Sequence, residues 1–165
     1  MLSSTAMADS REQNRSGGGK GIDVLCAEHR TLWATRAWSD AAQIRDLIGG
    51  RTVRIVRAIS IRQPYAEQIL RRLKRVECRS RSTRIRERAW IYASERPADD
   101  PTAWRSVRKK PGELPTGVIV GSAVIVNVRG RANRDFAYKL AAPKRVSNPK
   151  RPWNQPRPVF WRPKF

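Results

Sequence analysis

Basic and acidic side chains alternate over a short stretch of this sequence, and their types suit the recognition of a polyanion. Lys74 and Arg79 can contact phosphate, the first as a point charge and the second as a planar fork, and Arg62 can add a third contact. Glu77 is the acid among them, and it could orient either cation or accept a hydrogen bond from a base amino group. The alternative is a structural role for Glu77, in an internal ion pair with Lys74 or Arg79.

Neutral and aromatic side chains near these charges could read a nucleobase. Ser60 and Gln63 offer hydrogen-bond donors and acceptors for a base edge, and Tyr65 could stack on a base face. Trp90 is an alternative stacking residue, and we expect either Trp90 or Tyr92 to lie in the core. These residue types predict recognition of single-stranded RNA, whose bases are open to stacking.

The formal charge of +21 is concentrated in one part of the chain. Residues 53–165 hold 28 basic and eight acidic residues, whereas residues 1–52 hold seven and six. A compact chain tolerates such self-repulsion best beside a polyanion, so RNA is the predicted partner and DNA is the alternative. Arg81 and Arg84 belong to the arginine-rich segment 79–88, which is predicted either to follow a phosphate backbone or to form a solvated loop.

The C-terminal segment, residues 150–162, alternates basic residues with aromatic ones. This pattern suits stacking on bases, with the basic side chains at the phosphates. The alternative is that three aromatic side chains close the hydrophobic core, namely Trp153, Phe160 and Trp161.

The composition argues against membrane, secreted and metal-dependent classes. The longest apolar run, residues 118–126, is interrupted by Gly121 and is far shorter than the roughly 20 residues that cross a bilayer. No apolar segment follows the N-terminus, so we expect a cytoplasmic location. Cys26 and Cys78 are expected to be reduced thiols, and His29 is the single histidine, so we expect no metal site. Glycine-rich phosphate loops are absent, and no cofactor is expected.

Four apolar runs predict strands, over residues 53–61, 76–79, 89–93 and 117–128. In the second run Glu77 and Arg79 alternate with Val76 and Cys78, so both charged groups are predicted to face the same way, out of the core. In the last run, Gly121-Ser122 predicts a bulge of the kind that closes small barrels.

Helices are predicted from Pro64 for two to three turns, and over residues 135–141. The leader, residues 1–52, is predicted to be disordered apart from a short helix over residues 31–48. Strands and short helices without regular alternation predict an α+β fold, a mixed β-barrel over residues 53–165.

Four spaced motifs stand in order, at residues 59–66, 74–79, 114–121 and 136–145. Together they resemble the ASCH domain of the PUA-like superfamily, over about residues 53 to 162. The family hallmark GxKxxExR falls on Arg72, Lys74, Glu77 and Arg79. Because Arg72 replaces the glycine, a tight left-handed turn is not expected there. The resemblance implies a PUA-like β-barrel with a cleft beside its first helix that binds RNA, single-stranded or in a loop.

The resemblance also leaves an enzymatic function open, since some ASCH relatives are ribonucleases and others are acetylcytidine amidohydrolases. A metal-independent ribonuclease could use Lys74, Tyr65 and Ser94 for proton transfer and for stabilising phosphoryl charge. The amidohydrolase relatives carry Thr at the position of Glu77, so a modified-nucleoside hydrolase would lack that hydroxyl here. A non-catalytic RNA-binding module is therefore the predicted function, and a hydrolase using the same cleft is the alternative.

Overall fold

The computed structural model of the protein describes residues 55–131, 135–154, 156–157 and 159–165, without the side chains of Arg131 and Asp135. The leader over residues 1–52, with the helix predicted over residues 31–48, lies outside the described residues. The predicted start of the domain at residue 53 lies outside them as well.

Six strands form one mixed sheet in the order β2-β5-β4-β3-β1-β6. They are β1 (Ala58–Ile61), β2 (Val76–Arg79), β3 (Arg88–Ala93), β4 (Val118–Arg131), β5 (Asp135–Lys150) and β6 (Phe160–Trp161). β1 and β3 pair in parallel, and the other neighbouring strands pair antiparallel. Two short helices accompany the sheet, and they are α1 (Tyr65–Leu70) and α2 (Pro101–Val107).

The sheet curls into a half-barrel, so that strands distant in the sheet order come together. Tyr138 of β5 and Phe160 of β6 are separated by three strands in that order, yet their rings stack with centroids 6.1 Å apart. Arg79 of the edge strand β2 donates a hydrogen bond to the carbonyl oxygen of Ser60 in β1. These contacts join the two ends of the sheet and confirm the predicted α+β, PUA-like barrel architecture with short flanking helices.

The main core lies inside the curl. Its buried members come from α1 and from four of the strands, and they are Ile59, Ile61, Ala66, Ile69, Ala89, Ile91, Ala93, Val120, Ala123, Ile125, Tyr138 and Leu140. Strand alternation directs the intervening side chains to the outer face, where Tyr92 and Trp161 pack edge to face. Trp90 packs against this outer cluster and is only partly buried, so Tyr92 is the buried member of the pair.

Helix α1 follows a cis peptide bond between Gln63 and Pro64, and Pro64 is the N-cap rather than the first helical residue. The helix has six residues, which is under two turns and shorter than predicted. Its Glu67 carboxylate is buried and accepts hydrogen bonds from Arg71 at 2.6 Å and from Arg145 of β5 at 2.8 Å. The charge-assisted bond from Arg145 fastens α1 to the sheet, whereas Arg71 lies at the C-terminal end of the helix itself.

Gly121 in β4 allows α1 and β5 to approach closely. A Cβ atom at this position would lie 2.5 Å from Leu70 Cδ2 and 2.5 Å from the carbonyl oxygen of Lys144. The registers of β4 with β3 and with β5 both shift beside Gly121, which confirms the predicted bulge.

The helix predicted over residues 135–141 is wrong, because these residues belong to β5. Tyr138 and Leu140 alternate with Ala137 and Lys139, and this period of two places the two large residues in the main core. Pairing with both β2 and β4 satisfies the backbone here, which overrides the helix propensity of the Ala and Leu residues.

Helix α2 is missing from the sequence-based prediction, although its start carries a recognisable signal. The Asp100 carboxylate caps the helix by accepting hydrogen bonds from the N–H groups of Thr102 and Ala103, each at 3.0 Å. Pro101 follows at the first helical position. An aspartate before a proline is typical of a helix N-terminus and could have identified α2.

Neither a membrane-spanning helix nor a metal site is found in the part of the chain that the structure describes. No helix there is long and apolar enough to cross a membrane. Within the same residues, no three His, Cys, Asp or Glu side chains come together in a way that could hold a metal ion.

Candidate nucleic-acid interface

Lys74, Glu77 and Arg79 form one ion-pair cluster at the β2 edge. Lys74 Nζ lies 2.6 Å from Glu77 Oε2, and Arg79 Nη2 lies 3.4 Å from Glu77 Oε1. The side chains of Lys74 and Glu77 are each 10% exposed, and that of Arg79 is 19% exposed. The two charged residues of β2 therefore share one face of the strand, as predicted, and Glu77 lies between two cations.

The prediction that Glu77 faces out of the core is wrong. In the β2–β5 register Glu77 stands opposite Tyr138, a fully buried residue of the main core, so its side chain lies on the inner face of the sheet. Burial alone would raise the pKa of Glu77, but attraction to Lys74 and Arg79 and the hydrogen bond from Lys74 outweigh it and hold that pKa below its ordinary value. Glu77 can occupy the interior as a carboxylate because it is paired with two cations.

Tyr65 connects the cluster to helix α2. The Lys74 ammonium group lies over the Tyr65 ring, 4.4 Å from its centroid, in a cation–π contact. The Tyr65 hydroxyl donates a hydrogen bond to Asp100 Oδ2 at 2.8 Å. Since Asp100 also caps α2, both helices and β2 hold the Lys74 side chain in place.

Ser60 and Gln63 are engaged within the domain. Ser60 Oγ accepts a hydrogen bond from Trp161 Nε1 at 3.1 Å on the outer face, so its side chain points away from Glu77, while its carbonyl oxygen contacts Arg79. Gln63 is 0% exposed, its Nε2 donates to the carbonyl oxygen of Pro115, and its Oε1 accepts from the backbone of α1. Their predicted role at a base edge stays a prediction.

The remaining predicted site residues are spread around the cluster. Arg62, Arg81 and Arg84 are exposed, the first beside α1 and the other two in the loop between β2 and β3. The N–H of Ser94, which follows β3, donates a hydrogen bond to the carbonyl oxygen of Ile61. The structure therefore brings together Tyr65, Lys74, Glu77 and Arg79, and the catalytic role of Ser94 stays a prediction.

The turn between α1 and β2 is left-handed despite the arginine in it. Arg72 has a φ of 63°, so the expectation that no left-handed turn forms here is wrong. Its N–H donates to the carbonyl oxygen of Ile69, and the N–H groups of Leu73 and Lys74 both donate to that of Gln68. These bonds satisfy the last carbonyls of the helix and offset the strain of a side chain at positive φ.

A pocket of about 380 Å³ lies beside this turn. It has an apolar wall and a basic rim, and its lining residues are Ile69, Arg72, Lys74, Arg75, Leu140, Ala141, Ala142 and Pro143. Its volume is within the range of small-ligand sites. Sequence reasoning missed Arg75 and the role of Arg72 in this pocket, although both lie inside or beside the hallmark motif.

Cys78, between Glu77 and Arg79, is disulfide-bonded. The expectation of a reduced thiol is therefore wrong at this position. The other cysteine of the chain, Cys26, lies outside the described residues.

The curled mixed sheet, the short helix beside it and the buried cluster at the end of the turn define a PUA-like domain, a fold often associated with RNA binding. The ASCH domain family model matches residues 59–154, which is more than half of the chain. The protein therefore belongs to the ASCH family, as its spaced motifs predict. No curated protein matches the chain.

Proposed function

We propose that this protein binds RNA, single-stranded or in a loop, with the pocket beside α1 as the centre of the site. The observation that carries the proposal is the combination of an apolar wall with two exposed cations, Arg72 and Arg75, in a pocket whose lining includes no acid. An unpaired base can pack on the apolar wall, and the basic groups can bind the flanking phosphates. Duplexes hide their base faces, which favours single strands as the ligand.

The site residues divide by exposure into two groups in this proposal. Arg62, Arg81 and Arg84 are exposed, and in this proposal they contact the phosphate backbone. The second group is buried or partly buried and consists of Tyr65, Lys74, Glu77 and Arg79. These residues fix the shape of the cleft, and Lys74 also reaches the pocket. Ser60 and Gln63 support this group through the bonds to Arg79 and α1.

Two contacts support a binding module over a hydrolase. The Lys74 ammonium group is held against the Glu77 carboxylate at 2.6 Å, and the Tyr65 hydroxyl donates to Asp100. A general acid or base needs its reactive atom within reach of the substrate, and both atoms already serve internal contacts. Incubation of labelled single-stranded RNA with the protein should therefore leave the RNA intact, and cleavage that disappears in Lys74→Ala would favour the hydrolase.

The first test compares two double variants that remove the same charge. Arg72→Ala/Arg75→Ala removes the two exposed cations of the pocket rim. Arg105→Ala/Lys109→Ala removes two exposed cations that lie on and just after α2, outside the pocket lining. Fluorescence anisotropy with labelled single-stranded RNA, over a series of salt concentrations, gives the affinity and the salt slope.

We expect the rim variant to lose about 1–3 kcal/mol of binding free energy for each positioned side chain. Its slope of log K against log salt should also fall by about 0.7 for each phosphate that the variant no longer neutralises. The α2 variant should bind almost as tightly as the wild type. Equal decreases in affinity for the two folded variants would contradict the proposal, because they would indicate attraction to a general basic surface.

A further inference from the structure

The C-terminal segment places one tryptophan on the surface and holds it there. Phe160 packs against the main core and Trp161 against the outer cluster, whereas Trp153 is 69% exposed. The Trp153 N–H donates to the carbonyl oxygen of Lys164, and Asn154 exchanges two further hydrogen bonds with this end of the chain. The backbone that carries this exposed tryptophan is therefore pre-ordered, which lowers the entropy cost of binding a ligand there.

A basic groove of about 480 Å³ lies next to this ring. It is lined by Asn154, Arg157, Trp161, Arg162 and Lys164, which include three cations and no acid. Lys164 Nζ lies 5.0 Å from the centroid of the Trp153 ring. An exposed aromatic face beside clustered cations is the arrangement that proteins use to stack a base and bind its phosphates.

We propose that Trp153 and this groove form a second contact site for single-stranded RNA, separate from the pocket beside α1. The proposal rests on the proposed RNA-binding function. The match to the ASCH family model ends at residue 154, so all three cations of the groove, Arg157, Arg162 and Lys164, lie beyond it. The groove adjoins β6, which pairs with β1 at the edge of the sheet where Ser60 contacts Arg79. A single strand that is long enough can engage both sites, and the second contact then raises the affinity.

The decisive experiment replaces the ring of Trp153 in the full chain. Trp153→Ala removes the stacking surface and Trp153→Tyr keeps an aromatic face, while Phe165→Ala removes another exposed aromatic residue as the control. Binding is measured with a labelled single-stranded RNA of about 20 nucleotides and with a duplex of the same length. Thermal unfolding of each variant verifies that the fold is intact.

Trp153→Ala should weaken single-strand binding roughly fivefold to a hundredfold, the range that removal of one stacked base produces. Trp153→Tyr should retain most of the affinity for the single strand. Trp153→Ala, Trp153→Tyr and Phe165→Ala should all bind the duplex with the same affinity. Arg157→Ala/Arg162→Ala should instead reduce the salt slope, by about 0.7 for each phosphate that is no longer neutralised.

The second site is refuted if Trp153→Ala binds the single strand no more weakly than Phe165→Ala while the pocket-rim variant does lose affinity. A wild-type chain that binds no RNA would refute the proposed function together with this site. Equal dependence on Trp153 for binding of polyglutamate would also overturn the proposal, because the groove would then be a surface for acidic proteins.

Discussion

Two sets of cations that are neighbours in the sequence use their charge in different ways. Lys74 and Arg79 are largely buried and share the single carboxylate of Glu77, which balances one of their two positive charges inside the domain. Arg72 and Arg75 are exposed on the rim of a pocket whose lining includes no acid. Buried pairs fix geometry, and exposed cations attract a polyanion.

One hallmark motif can thus supply both a buried scaffold, here Lys74, Glu77 and Arg79, and an exposed binding surface. The pattern GxKxxExR marks one turn and one strand, yet three of its members here close the half-barrel and the fourth, Arg72, remains available on the rim. Removing a member of the scaffold should therefore affect stability first. Removing a member of the rim should affect binding first.

The largest expected effect comes from Glu77→Gln. This change leaves Lys74 and Arg79 buried without their counter-ion, which should cost about 3–5 kcal/mol in the free energy of unfolding. Glu95→Gln is the matched control, because Glu95 is 69% exposed and lies 3.7 Å from the equally exposed Arg151. Exposed pairs of this kind contribute about 0–1 kcal/mol.

Urea denaturation followed by circular dichroism measures both free energies. Similar decreases in the free energy of unfolding for Glu77→Gln and Glu95→Gln would contradict the distinction between buried scaffold charges and exposed surface charges. RNA affinity should be compared only under conditions in which the variant is fully folded, since unfolding would imitate weaker binding.

The second prediction concerns the pH dependence of the same cluster. Because Lys74 and Arg79 hold the pKa of Glu77 below its ordinary value of 4.5, the folded state favours the carboxylate more than the unfolded state does. The stability that Glu77 contributes is therefore present above pH 4.5 and is lost as the pH falls through its lowered pKa. The difference in unfolding free energy between the wild type and Glu77→Gln should shrink over that acid range.

This prediction is measured by urea denaturation at several pH values between neutral and acid. Glu67→Gln should behave in the same way, since Arg145 and Arg71 outweigh burial and lower the pKa of Glu67. A difference for Glu77→Gln that stays constant with pH would show that the carboxylate charge contributes nothing to the cluster.

Sequence reasoning identified the fold through alternation and spaced motifs, and it failed where tertiary contacts decide. The bulge at Gly121 follows from residue type alone, because glycine in a strand marks a bend or a close approach. The helix predicted over residues 135–141 fails because pairing with β2 and β4 is a long-range contact that no local window contains. Alternation in β2 separates Glu77 and Arg79 from Val76 and Cys78, but it cannot tell which of the two faces lies inside the curl of the sheet.

The candidate site shows the same limit. The motif predicted that Lys74, Glu77 and Arg79 would lie together, and the structure brings them together. Their burial depends on the curl of the sheet, which places Glu77 opposite Tyr138. Trp153 and Trp161 stand in the same alternating sequence pattern. Trp161 is buried because it belongs to β6 and packs on the sheet, whereas Trp153 is exposed.

The smallest expected effect, and the one that separates scaffold from surface most cleanly, comes from Arg72→Gly. Arg72 has a φ of 63°, so glycine should relieve strain and raise the unfolding free energy by about 0.5–1 kcal/mol. It also removes a cation from the pocket rim, so RNA binding should weaken even though the protein is more stable.

Arg108→Gly is the matched control, because Arg108 ends α2 with a φ of 53° and does not line the pocket. Arg108→Gly should give a similar gain in stability with RNA affinity unchanged. If both variants bind RNA equally well, Arg72 has no role in the pocket, and its position in the motif serves the turn alone.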